Sequence, residues 1–342
     1  PSIQQTSQEA SPMTRQRLRK PGFGERLRQL GFLFKHTFTL VGRHPGIVRP
    51  LVRMCIYGIV MASVLFGAVL AFGLNADGIG VALLLSAIAL FIYKFFYYNR
   101  QELRQSWLAA ETLQGRKRTP TEAGARVREL AWTARKLALV DMLVARLAQL
   151  ARGDKAGFLV RMVAGALVEV WDLVNHYLLP AAAVDGLGIR QGVSCMYKLR
   201  DNVPETLAGV FGIDIAARAV GAIMGPVYLL LVLGSGALGL WIGNDLPAFH
   251  VGGAAELLGK VGMDVDPETL YFAWLPTLVA LWIGKLGSVV LERATTTVKV
   301  IYFTIFYMRI THGDAIIEEI RGELDSYLRM EAGDVAPVTS PA

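Results

Sequence analysis

From Met54 to Leu74 the chain runs MCIYGIVMASVLFGAVLAFGL, twenty-one residues without a charge, and after Asn75-Ala76-Asp77 a second apolar run extends from Gly78 to Tyr93. A helix of that length, at ~1.5 Å per residue, covers the ~30 Å hydrocarbon core, and in lipid the backbone satisfies itself only as helices or closed barrels. The two runs therefore read as a transmembrane hairpin. Two further spans follow. Ala219 to Ile242 is charge-free, and Leu270 to Leu291 carries Lys285 alone. The expectation is an all-α polytopic membrane protein of about four transmembrane helices, with re-entrant or amphipathic surface helices between them. Composition agrees: 53% of residues are hydrophobic and mean hydropathy is +0.41, yet 35 Lys and Arg must sit somewhere wet.

Where the cations fall sets the orientation. Ten Lys and Arg precede the first span, from Arg15 to Arg53, while the loop after it has none. The loop from Asn244 to Thr269 has only Lys260 against Asp245, Glu256, Asp264, Asp266 and Glu268. Both short loops are expected outside, which leaves the N-terminus, the centre and the C-terminus inside. Five regions result: a basic arm and amphipathic lead-in helix (1–53), the hairpin (54–98), an inner helical region (99–218), a second pair of spans with its acidic outer loop at 244–269 (219–310), and an amphipathic C-terminal helix and tail (311–342). The first twenty residues lack the apolar stretch of a secretory signal, so insertion is expected to fall to the first span.

The central region holds two ambiguous segments. Thr121 to Arg152 places apolar residues three or four apart, from Leu130 to Ala151, among six Arg and Lys, which predicts a basic amphipathic helix on the protein or on anionic headgroups. Gly157 to Leu179 reads as an apolar helix whose Arg161, Glu169, Asp172 and His176 form one narrow polar stripe. A single crossing there would strand Arg190, Lys198, Arg200 and Arg218 outside. A re-entrant or half-buried helix ending at Pro180 fits better, with a pair of crossings, the second after Pro180, as the alternative.

The stretch FLFKHTFTLVGRHPGIVRPLV, the block from Trp171 to Ile215 and VKVIYFTIFYMRITHGD together resemble a broad uncharacterised family of polytopic, mostly bacterial membrane proteins. The middle block is also similar to the membrane domain fused to some glycerophosphodiester phosphodiesterases. With no catalytic phosphodiesterase domain in the chain, the resemblance implies a multi-helix membrane fold without an activity.

Motifs of chemistry are sparse. Gly234, Gly236 and Gly239 spell GxGxxG, but inside a membrane span with no strand before it, so they cannot cradle a pyrophosphate. With Gly221, Gly225 and Gly243 they instead make a small-residue surface suited to close helix packing. Lys94 and Lys285, within or at the edge of spans, are placed either to snorkel or to hold a lipid phosphate or substrate, and Arg49, Arg53 and Arg100 are further headgroup candidates. Arg161, Glu169, Asp172 and His176 form either a buried structural network or a proton or ion path. Cys55 and Cys195 give no disulfide framework, and the five histidines have no metal-ligand spacing.

These features point to a non-catalytic accessory or scaffolding subunit of a larger membrane complex. Other membrane subunits and anionic phospholipids are the expected partners, with a homo-oligomer left open and nucleic acid excluded by the lipid-facing basic surfaces. No cofactor is expected beyond structural phospholipid. The alternative is a transporter or channel using the Arg161 to His176 stripe, and an integral membrane enzyme comes third. A bacterial inner membrane, N-in and C-in, is the expected location, with the mitochondrial inner membrane as the alternative.

Overall fold

Helices of 37 residues are ~55 Å long, far more than the ~30 Å of hydrocarbon a span must cross, and two of the four spanning helices have that length. The computed structural model describes residues 35, 37–152, 157–198, 203–254, 260 and 266–327. The basic arm, the tail after Tyr327 and much of the acidic loop, with Glu256 and Asp264, lie outside the described residues, as do the side chains of Glu169, Asp172, Cys195, Glu323 and Asp325. Four helices are long and apolar enough to cross a membrane: α1 (Val48–Gly73), α2 (Asp77–Leu113), α7 (Val203–Ile242) and α8 (Leu275–Thr311). Between the pairs lie α3 (Pro120–Glu129), α4 (Ala131–Arg152), α5 (Phe158–Asp185) and α6 (Ile189–Lys198), and α9 (Glu318–Tyr327) follows the last span. Strands β1 (Ala248–His250) and β2 (Tyr271–Ala273) pair antiparallel between α7 and α8, Phe249 opposite Phe272. The chain is an all-α polytopic membrane protein.

Local chemistry ends the helices where the sequence changes character. After α1, Asn75 takes φ +56°, the amide of Ala76 reaches the carbonyl of Ala71 at 2.8 Å, and the amide of Asn75 reaches Phe72. Gly115 does the same after α2, at φ +75° with Arg116 reaching Glu111. Both closures are Schellman turns, and Asn and Gly tolerate the left-handed residue they need. Thr119 and Glu122 form a capping box around Pro120, which starts α3.

The excess length of α2 and α8 emerges at one end of the spans, the end opposite the Asn75 turn, and builds a packed core there. Along α2, Ile79 and Leu85 are exposed as lipid-facing residues should be, whereas Leu103, Leu108 and Leu113 are buried. Every residue of α8 from Lys299 to Ile310 is buried. Tyr177 to Ala183 of α5 and Ile316, Ile320 and Leu324 of the C-terminal segment close over them, with Ile47 beneath. Each such Leu, Ile or Phe contributes ~1.5–3 kcal/mol by leaving water. Ser106 and Thr304 hydrogen-bond at 2.8 Å between α2 and α8, and Gln105 donates to the Ile47 carbonyl at 3.1 Å. Because spans and core share helices, the boundaries drawn at 98/99 and 218/219 fall inside α2 and α7.

Two expectations are corrected. The basic helix of 121–152 is two helices, α3 and α4, broken at Leu130. Helix α5 does not end at Pro180 but runs through it to Asp185, where Gly186 at φ +68° ends it. Arg126 secures that end by donating to the carbonyls of Ala183 and Val184. The C-terminal helix, expected from sequence as amphipathic, packs its apolar side on the chain's own core. Its lead-in amide, Ile317, donates to the carbonyl of Leu113 at 3.0 Å, and Arg43 grips Glu319 with both guanidinium nitrogens, at 3.1 and 2.7 Å.

Candidate functional site

The polar groups worth attention gather where the spans pass into the core. Four tyrosines mark that level: Tyr57 stacks on Tyr97 at 4.6 Å and meets Tyr98 and Tyr93 edge-on or tilted. Amphipathic rings of this kind favour a membrane interface. Just beyond them, Asn99 of α2 and the indole of Trp171 of α5 both donate to Asp141 of α4, the indole at 2.5 Å. One carboxylate thus ties three helices. Glu102 of α2 and Arg293 of α8 form a second tie at 3.9 Å, and the Arg293 guanidinium lies 4.3 Å from the Tyr98 ring centroid. Both partners of that pair are buried, and Arg293 also pairs with Glu292 next to it in the chain.

The third tie is at the far side of the core. Asp185, the last residue of α5, accepts from the Tyr307 hydroxyl and from His312 Nε2, the latter at 3.1 Å. His312 Nδ1 lies 2.7 Å from Thr311 Oγ1, whose own hydrogen goes to the Tyr307 carbonyl. With that hydrogen on the carbonyl, each ring nitrogen has an acceptor in place for the protonated ring. The hydrogen bond to Asp185 accordingly raises the His312 pKa above its usual value, against the opposing effect of burial. An Asp–His–Thr run could suggest an activated nucleophile, but a nucleophile must give its proton to the base. Here the threonine gives it to a carbonyl, and the arrangement is a latch between α5 and α8.

The residues singled out from sequence are dispersed among these features. Arg161 is exposed, while His176 is buried with its ring 5.3 Å from that of Phe303. The stripe on α5 is therefore split between its two described side chains. Lys94 lies over Phe91 and Phe95, 4.0 and 5.0 Å from their ring centroids, and Lys285 is exposed on α8. Arg49 and Arg53 are exposed and Arg100 is half-buried. Of the helix-packing glycines, only Gly239 is packed, with β2 against it; Gly221, Gly225, Gly234 and Gly243 have nothing within 4 Å of where a Cβ would be. Between α2 and α4 lies a cavity of about 390 Å³, lined by Phe91, Ile92, Phe95, Met142, Leu143 and Arg146 among others.

Sequence reading missed Asp141, Asp185 and His312. Asp141 had a signal, as the one acid in a helix of 22 residues with basic and apolar neighbours. The others are defined by partners distant in the chain. No family model, curated protein or solved structure matches the chain.

Proposed function

We propose that this chain is a non-catalytic accessory or scaffolding subunit of a larger membrane complex, holding a partner's helix and anionic lipid. The observation that carries the reading is the third span. From Ile215 onward α7 packs on α8 and β2 along one side and leaves Ile223, Leu230, Leu233 and Trp241 exposed, with Gly221, Gly225, Gly234 and Gly236 open among them. Small residues let a second helix backbone approach closely in lipid, where packing and not hydrophobicity drives association. Part of the core end is covered by the chain's own C-terminal helix, through Ile316, Ile320 and Leu324.

The cationic end of the spans is the inner face in this reading, N-in and C-in, in a bacterial inner membrane or alternatively a mitochondrial one. The transport alternative draws on the α5 stripe. Its described members, Arg161 and His176, stand fifteen positions apart, ~22 Å along a helix, one exposed and one buried, which favours a structural place for His176.

Extraction in a gentle detergent, sizing and mass spectrometry of what co-elutes test the proposal. A stoichiometric membrane partner is expected, released by Gly225→Leu without loss of the chain's own melting transition. A chain that runs alone as a small particle overturns it.

A further inference from the structure

We propose that Arg53, Arg100, Arg104 and Arg128 form a receptor for the phosphate headgroup of an anionic phospholipid. The inference rests on the lipid-binding part of the reading above and needs no protein partner.

Three elements bring the four side chains together. Arg53 is the last charge before the apolar run of α1, and Arg100 and Arg104 stand one turn apart on α2. Arg128 is one turn beyond Gly124 of α3, and the Cβ position of Gly124 is 3.6 Å from Arg104 Nη2. The charges of Arg53, Arg100 and Arg128 all act on Arg104. Among the described residues none of the four is ion-paired to a carboxylate; the polar contact of Arg104 is to Gln101 Oε1 at 3.3 Å. The Nε of Arg104 is shut off from solvent without an acceptor. A buried donor left unmade costs ~1–3 kcal/mol and more on a charged group, and unscreened like charges add to it. Folding tolerates such a cluster when an anion completes it.

The chemistry of the missing anion follows from the donors. Guanidinium forks match phosphate oxygens two at a time, and several forks around one point require an acceptor with several charged oxygens. Its source follows from depth. Twenty residues of α2 from Asp77 cover the ~30 Å of hydrocarbon and end near Tyr97, so Arg100 and Arg104 lie ~5 and ~10 Å past it, in the headgroup layer. Arg53 stands at the same boundary on α1. A headgroup is anchored at that level by its own chains, whereas a free anion must be drawn from solution, so the occupant is a lipid of the leaflet next to the core.

The test uses the full chain, purified in detergent and delipidated, with native mass spectrometry under titration by phosphatidylglycerol, phosphatidylcholine or inorganic phosphate. The unmodified chain is expected to take up one phosphatidylglycerol several hundredfold more tightly than phosphatidylcholine, four basic residues each worth ~1 kcal/mol near an anionic headgroup. Arg104→Gln and Arg128→Gln should each weaken that uptake about fivefold by the same reckoning. Arg135→Gln, an equal charge change on an exposed position of α4, should leave it unchanged. Arg104→Gln should also raise the melting temperature of the delipidated chain, because it relieves repulsion. A merely structural arginine would lower it, and that result overturns the site. So do equal binding of the two lipids, equal losses in Arg104→Gln and Arg135→Gln, and displacement of phosphatidylglycerol by inorganic phosphate. Anionic binding untouched by the arginine variants would remove this site and leave lipid binding at Lys94, Lys285 or Arg49 standing.

Discussion

His312 holds an acceptor on each ring nitrogen, and this sets how the core responds to pH. Its pKa in the folded chain is raised above the usual 6.5 by Asp185. The stability of the latch is therefore fully present below the unfolded value and is lost as pH rises through the raised folded one. Thermal melting in detergent, compared at about pH 6 and about pH 9, should show a fall in midpoint that Asp185→Asn removes; an equal fall in the variant would contradict the latch. The opposite sign applies to Glu319, whose pKa is lowered by the two-pronged hydrogen bond from Arg43. Its contribution is present above the ordinary carboxylate value and fades as pH drops through the lowered one. Neither group could be singled out from sequence. His312 follows the last span as an isolated histidine, and Asp185 precedes a glycine like many turn acids; what distinguishes them is that the ends of α5 and α8 meet. Asp141 was legible in principle, since a lone acid among apolar and basic positions must find a donor or pay for its burial.

At the scale of elements, contacts between helices depend on a few close approaches. The nearest lies between α7 and α8, where a Cβ on Gly284 would fall 1.9 Å from Cε2 of Tyr228. Gly284→Leu should force these spans apart at a cost of ~1–3 kcal/mol of overpacking, with Tyr228→Ala restoring part of the loss. Differential melting of the single and double variants checks it, and additive losses would mean the two positions do not touch. The C-terminal helix offers a second test. Leu324 is fully buried between the chain's own helices, so Leu324→Ala should lower stability by about 3 kcal/mol, even with no partner present. Its apolar stripe was readable from spacing alone. The acceptor of that stripe was not, because Leu40, Leu113 and Ile305 come from three distant stretches and meet only when α2 and α8 continue past the membrane. The same cause explains why α5 seemed to end at Pro180: with Tyr177 to Ala183 buried on all sides, tertiary packing holds a proline that would break an isolated helix.

For the whole molecule, the long apolar runs mark the four candidate spans, and the distribution of Lys and Arg proposes their direction. What those counts could not contain is that α2 and α8 run unbroken from the spans into the core. A lipid held at the arginine cluster would sit against α1, α2 and α3 together, and a helix seated on α7 would reach the core through α8. In the proposed reading the Asn75 turn and the loop after α2 lie on opposite faces of the membrane, while 37–43 and α9 share a face. In a chain carrying Cys55→Ala and Cys195→Ala, Asp77→Cys and Lys117→Cys place single thiols at two exposed positions, one at each end of α2. A membrane-impermeant maleimide added to intact bacterial spheroplasts should label Asp77→Cys at once and Lys117→Cys only after lysis. The reverse pattern would invert the orientation and move the arginine cluster to the outer leaflet without disturbing the fold. Labelling of both thiols from one side would be more damaging: α2 would then fail to cross, and its 37 residues would have to lie along the membrane, with the apolar face from Ile79 to Ile92 buried in headgroups instead of spanning the hydrocarbon.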